Sequence, residues 1–289
     1  IQLILYSTRS SLSFQSTINC MKKIISLFTL AALMAGQVNA QSNPKWLRYS
    51  NISPDGKTVV FTYKGDLYTV SSSGGNATAL TMHEAHDFMP VWSKDGKTIA
   101  FASDRYGNFD VFTIPVTGGE AKRISFHSAA EYPYDFSADN QKIIFGSARM
   151  DLASNRQFPT GSMPELYSVG VNGGRPTQLL TTPAEEVKFS KDGNKMIYQD
   201  KKGGENTWRK HHTSSIARDI WIYDVKADKH TKLTNFNGED RNPVFANAEK
   251  ELIYLSEESG SFNIHKMPVA GGKSEKLTSF KKHPVRFLS

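Results

Sequence analysis

From residue 46 onward the chain is written in short runs in which apolar and polar side chains take turns. Examples are "KTIAFAS" at 97–103, "DVFTIPV" at 110–116, "KMIYQD" at 195–200 and "ELIYLS" at 251–256. Alternation with period two, rich in β-branched and aromatic residues, is the pattern of a strand with two distinct faces. No segment beyond residue 40 sustains the 3.6-residue period of an amphipathic helix. The runs themselves recur, which makes the architecture a matter of repeats before anything local.

Three anchors define the repeat. The first is a turn residue at Asp55, Asp95, Asp139, Asp192 and, by alignment, Ala248. The second opens an apolar-aromatic strand, at Asp66, Asp110, Glu165, Asp219 and Asn263. The third is a Gly-Gly pair beginning at Gly74, Gly118, Gly173 and Gly271, replaced by Ala227-Asp228 in the fourth unit. From second anchor to third the spacing is eight residues in all five units. From the second residue of that pair to the aliphatic of the next strand (Leu80, Ile124, Leu179, Leu233, Leu277) it is five each time. Only the first interval varies, with spacings of 11, 15, 26, 27 and 15 residues, so every insertion enters the same loop of the unit. Asp-Gly between two strand runs predicts a tight primed hairpin with positive φ at both central residues, and Gly-Gly serves the following turn.

Each unit therefore reads as four short antiparallel strands, and a sheet that small hides its faces only by stacking on neighbours. The fold class is all-β, a β-propeller of four-stranded antiparallel blades. The expected blades are about 44–82, 83–127, 128–183, 184–236 and 237–280. A sixth begins at 281–289, so the ring is incomplete within the sequence. A two-sheet sandwich would not explain constant spacings across five units.

The N-terminus has a different character. Met21-Lys22-Lys23, the apolar run "IISLFTLAALMAG" and Val38-Asn39-Ala40 have the three parts of a secretory signal peptide spanning 21–40. Cleavage near Ala40 would export the chain to the periplasm or the medium, and residues 1–20 read as an upstream translated extension without structure. Cys20 is the only cysteine and precedes the cleavage site, so the mature chain forms neither disulfide nor thiolate metal site. The formal charge of +7 falls to +4 once Arg9, Lys22 and Lys23 are removed. So mild an excess argues against nucleic acid as a partner.

Insertions at 149–164 and 200–218 project from one propeller face, where binding loops cluster. The second, "DKKGGENTWRKHHTSSIARDIW", carries Lys201, Lys202, Arg209, Lys210 and Arg218 against Asp200, Glu205 and Asp219 within the segment, with Trp208 beside the basic cluster. Arginine grips a carboxylate through two parallel hydrogen bonds and tryptophan adds a rigid contact. Trp208, Arg209, Lys210, His211, His212 and Arg218 are accordingly the expected peptide-binding residues. Tests for chemistry find no catalytic residue, metal or cofactor. In "HEAHD" the histidines at 83 and 86 are three apart where helical ligation needs four, His211-His212 are adjacent, and no Gly-x-Ser-x-Gly elbow nominates a nucleophile. The repeat aspartates are turn formers.

The "S-x-D-G-K" hairpin and the Gly-Gly turn resemble TolB-like propeller repeats. The segments "HDFMPVWSKDGKTIAFASDRYGNFDVFTIPVTGGEAKRIS" (86–125) and "ENTWRKHHTSSIARDIWIYD" (205–224) resemble the N-terminal propeller of bacterial Tricorn-type serine peptidases. The resemblance implies a second propeller, a PDZ-like domain and a serine peptidase core elsewhere in the full-length protein. It implies a role in docking or gating peptides or unfolded segments for that core, with the chain's own remaining domains and further copies of itself as partners. Two other readings stay open: a stand-alone TolB-like periplasmic interaction module, and the propeller of a prolyl-oligopeptidase-type enzyme.

Overall fold

A computed structural model describes residues 46–149, 163–204 and 211–289. The expected extension 1–20 and signal peptide 21–40 lie outside the described residues. Among those described there is no helix, and twenty strands form five four-stranded antiparallel sheets. Blade I contains β1 (Arg48–Ile52), β2 (Thr58–Tyr63), β3 (Asp66–Ser71) and β4 (Thr78–Ala79), and blade II contains β5 (Asp87–Trp92), β6 (Thr98–Ser103), β7 (Asp110–Pro115) and β8 (Lys122–Arg123). Blade III contains β9 (Glu131–Phe136), β10 (Lys142–Ser147), β11 (Glu165–Gly170) and β12 (Thr177–Leu180). Blade IV contains β13 (Ala184–Phe189), β14 (Lys195–Asp200), β15 (Ile220–Asp224) and β16 (Lys229–Lys232). Blade V contains β17 (Asp240–Ala246), β18 (Glu251–Ser256), β19 (Asn263–Pro268) and β20 (Glu275–Lys276). Each sheet is a meander, and the inner strands β1, β5, β9, β13 and β17 pack against one another in sequence order around an axis. The molecule is a propeller of five blades in a ring.

The alternation seen in the sequence has a geometric meaning here, because each face of a blade belongs to a different core. In β6, Ile99 and Phe101 pack into the layer between blades I and II, while Ala100 packs between II and III. In β10, Ile143 and Phe145 serve the II–III layer and Ile144 the III–IV layer. In β14, Met196 and Tyr198 face III and Ile197 faces V. Successive strand residues point to opposite faces, so a one-residue slip would exchange both cores at once.

The hairpin between the first two strands differs from the primed turn expected. The Gly56 N–H donates to Ser53 O at 2.8 Å, and the same bond recurs at Gly96, Asn140 and Gly193. Positive φ falls on that residue (72°, 70°, 58° and 69°) and not on the aspartate before it. This is a type I turn followed by a left-handed residue, and Pro54, whose ring fixes φ near −65°, suits the first central position. The serine hydroxyl donates to the aspartate at 2.6 Å in all four turns, Ser53–Asp55, Ser93–Asp95, Ser137–Asp139 and Ser190–Asp192. That bond, followed by the backbone N–H two residues beyond the aspartate, lowers each of these carboxyls below its ordinary value. In blade V, where Ala246 and Ala248 replace serine and aspartate, Asn247, Ala248 and Glu249 all take positive φ instead.

Blade III departs from the constant spacing in its outer strand. A register shift between Leu166 and Tyr167 turns Leu179 outward, 39% exposed, and brings Leu180 to the core.

No sixth blade forms among the described residues, and 281–289 contains no strand. Its backbone nevertheless repeats marks of an inner strand. The Asp87, Glu131 and Asp240 N–H groups donate to Gly65 O, Phe109 O and Arg218 O, each the residue before the preceding blade's third strand or one before it, and Val285 N–H donates to Phe262 O at 2.9 Å. Two residues later Met89 and Asn242 have φ of 52° and 51°, and Phe287 has 58°.

Gly146 shows how tightly the blades are fitted. A Cβ there would lie 2.5 Å from the ring of Tyr134, which is 4% exposed. Gly146→Ala must displace that ring, and overpacking of this kind costs about 1–3 kcal/mol. The expected outcome is a lower urea midpoint with unchanged slope, and an unchanged midpoint would show the ring to be free to move.

Candidate functional site

The inner strands carry a feature that aims side chains at the axis. Each pairs with its neighbour through a register shift of one residue, a β-bulge. In blades I, II, IV and V the bulge holds Tyr49, Met89, Glu186 and Asn242 at φ between 51° and 54°. A left-handed backbone is uncommon outside glycine and asparagine, and here all four residues line the same central cavity. Blade III has Pro133 at that position, which cannot take positive φ, and its bulge falls one residue later.

The cavity encloses about 350 Å³ and has two unlike walls. Tyr49, Phe88, Tyr132 and Tyr134 from blades I to III make one of them, with Phe88 edge-on to Tyr49 at 5.3 Å and to Tyr132 at 5.9 Å between centroids. Glu185, Glu186, Arg218, Arg241 and Asn242 from blades IV and V make the other. Phe287 stands 4.4 Å from Tyr49 at the junction.

The charged wall is part of a network that fastens the fourth-blade insertion. Glu185 accepts from Lys201 Nζ at 2.8 Å, from Gln199 Nε2 at 3.1 Å and from Arg218 Nε at 3.2 Å. Arg218 Nη1 reaches Glu239 Oε1 at 3.4 Å, and Arg241 Nε bonds Glu239 Oε2. Lys202 is held by Asp219 at 2.6 Å and Asp200 at 3.2 Å. Burial would raise both glutamates, but at Glu185 the charges of Lys201 and Arg218 outweigh it, and at Glu239 the bonds and charges of Arg241, His212 and Arg218 do. Both therefore sit below the ordinary carboxylate value. At Glu186 burial prevails and, with the Glu185 charge, pushes the carboxyl up against the opposing pull of Lys188, Asn242 and Arg218.

Of the expected binding residues, Trp208, Arg209 and Lys210 lie outside the described residues. The His211 ring is exposed while its backbone N–H donates to Glu257 Oε1 at 2.8 Å. His212 and Arg218 are 1% and 2% exposed, His212 Nδ1 lying 3.1 Å from Glu239 Oε1. The structure thus brings His212, Arg218 and Lys201 into one network as supports for the loop, while Lys202 is held separately by Asp200 and Asp219. Its partners Glu185 and Glu239 were missed by a reading confined to the insertion, since they enter from neighbouring inner strands.

A different set of acids, those that open the inner strands, follows a repeated pattern. In blades II and III the inner strand opens with Asp87 or Glu131, and an arginine two residues after the second strand's serine pairs with it: Arg105 at 2.7 Å from Asp87, and Arg149 bonded to Glu131. Blade V has Ser256-Glu257-Glu258 at the matching place. Asp240, 1% exposed, therefore faces Glu258 where its counterparts face arginine. Burial raises its carboxyl to about 7, the hydroxyls of Ser256 and Thr234 oppose the rise, and Asp219 and Glu258 add to it.

A carboxyl whose folded pKa exceeds its unfolded value binds more protons folded, so stability falls as pH rises across the interval. For Asp240 that interval runs from the ordinary value of 3.8 to about 7. Asp240→Asn should flatten the decline in melting temperature over this range, and Glu258→Arg should do the same by supplying the missing cation. Parallel pH profiles for parent and both variants would contradict this account.

A family profile described as the Tricorn protease N-terminal β-propeller domain matches residues 44–289. The Tol-Pal system protein TolB of Helicobacter hepaticus is 32% identical over 98 residues, which are 34% of this chain and 23% of that protein. Among solved structures, a putative TolB from Agrobacterium tumefaciens superposes with a TM-score of 0.65 at 18% identity over 81% of each chain. The tricorn protease superposes with a TM-score of 0.71 at 21% identity over 85% of this chain and 23% of that one. At such identities the structures share a fold and nothing finer. The chain spans 23% or less of the curated relatives it matches. With its five repeated blades and a profile match across nearly all of the described residues, the chain belongs to the family of Tricorn protease N-terminal β-propeller domains.

Proposed function

We propose that this propeller is a non-catalytic segment that docks or gates extended peptides in an exported protein of Tricorn type, whose peptidase core lies elsewhere in the longer protein. The observation that carries the reading is the two-walled axial cavity, lined in part by Arg218 at the end of the basic insertion. An aromatic wall receives apolar side chains, and a charged wall with its loop receives backbone ends and polar groups. Because Lys201, Lys202 and Arg218 are engaged internally, the groups offered to a peptide are Trp208, Arg209, Lys210 and the exposed ring of His211. Residues 285–289 act as the inner strand of a sixth blade in this reading. In this reading residues 21–40 are a leader that carries the protein to the periplasm or outside the cell.

A second reading, a TolB-like interaction module without an associated peptidase, is favoured by one observation: the fold covers 81% of the TolB chain as well as 81% of this one.

The docking role is tested with fluorescent peptides and the full-length protein. Arg209→Ala with Lys210→Ala should weaken peptides bearing a free C-terminal carboxylate about tenfold, the loss of roughly 1.4 kcal/mol, and leave amidated peptides within about twofold. Equal losses for both kinds would remove the carboxylate role.

A further inference from the structure

We propose that Ser214 is an activated nucleophile that accepts acyl groups from activated esters, with His212 as its general base and Glu239 as the orienting acid. This departs from the non-catalytic part of the reading above, since ester turnover would occur on the propeller itself, and it does not depend on the docking of peptides. Glu239 Oε1 lies 3.1 Å from His212 Nδ1, and His212 Nε2 is hydrogen-bonded to Ser214 Oγ. The layering is that of a catalytic serine. Glu239 is fully buried, His212 is 1% exposed, and Ser214 stands at the surface.

Glu239 sits below the ordinary carboxylate value despite its burial, through the bonds and charges of Arg241, His212 and Arg218. In the proposed site the imidazole proton lies on Nδ1 toward Glu239, and Nε2 accepts from the serine hydroxyl. Two supports keep this arrangement in place. Glu239 is tied to blades IV and V through Arg218 and Arg241, and the Ala217 N–H donates to Ser214 O at 2.9 Å to close the turn carrying the nucleophile.

In the reaction, Ser214 Oγ forms a bond to the ester carbonyl carbon as its proton passes to His212 Nε2. The carbon–oxygen bond to the leaving group then breaks, and His212 returns the proton to the departing oxygen. Water repeats the sequence on the acyl-serine, releasing the acid and restoring Ser214. General-base assistance contributes about 10²–10⁴-fold, far below the roughly 10⁶-fold or more typical of enzymes on unactivated substrates. The substrate class is therefore activated esters and phosphonyl electrophiles, and peptide bonds are excluded on magnitude.

The full-length protein is treated with a fluorophosphonate probe and with 4-nitrophenyl acetate, and adducts are located by peptide mass spectrometry, which separates Ser214 from any other reactive serine. The expected result is an adduct on Ser214 that Ser214→Ala removes and the neighbouring Ser215→Ala retains. Both positions are exposed, so neither variant threatens the fold. His212→Gln should slow labelling about 100-fold. Because His212 is buried, a second comparison stands beside it: the native protein should be labelled at Ser214 about 100-fold faster than the urea-denatured chain. No adduct at Ser214, or equal rates in the native and denatured chain, would overturn the proposal.

Discussion

Neighbouring blades share the apolar layer between them, and the rest of the structure follows from that sharing. A four-stranded sheet has too little area to bury its faces alone, so it depends on the sheets stacked beside it. Alternate residues of β6, β10 and β14 serve different cores, which makes register the quantity on which the array depends. Insertions are admitted only where they leave register untouched, in the loop between second and third strands.

The same constraint shapes the axis. Inner strands converge there, and a bulge in each lets one side chain leave the regular pleat and enter the central cavity. In four blades the bulge residue takes a left-handed backbone, a conformation costing roughly 1–2 kcal/mol for residues with a Cβ. Its recurrence at Tyr49, Met89, Glu186 and Asn242 marks it as a property of the architecture. What differs from blade to blade is the side chain presented, Tyr49 and Met89 toward one side and Glu186 and Asn242 toward the other, and this is where a common scaffold acquires an individual site.

Acids at the mouths of the inner strands show how repeats diverge. Asp87 and Glu131 meet arginine, Glu185 meets lysine and arginine from the insertion, and Asp240 meets Glu258. Asp240, whose counterpart arginine is replaced by Glu258, has its carboxyl raised first by burial and further by Asp219 and Glu258. The network around Glu239 has a comparable origin, since it recruits His212 and Arg218 from the long loop of blade IV into contact with blade V.

How much of this was legible in the chain depends on the distance over which the deciding interaction acts. Strand alternation, the Ser-x-Asp turns, the Gly-Gly turns and the one variable loop are local, so five four-stranded units could be read from spacing alone. The hairpin type was misread because Asp-Gly is compatible with two turn geometries, and the closing bond from Gly56 to Ser53 selects between them. Leu179 holds the aliphatic position by spacing, yet a bulge in the pairing with β11 moves the inward place to Leu180. The basic insertion was visible as a cluster of charge, whereas its neutralisation by Glu185 and Glu239 was not. Those acids are separated from Arg218 by 33 and 21 positions. The sequence by itself determined what each repeat is, because turns and pleats are decided by neighbours along the chain. Only the tertiary structure decided which charges meet, because blades are brought together by the burial of their flanks and the side chains at their mouths must accept whatever partners that packing supplies.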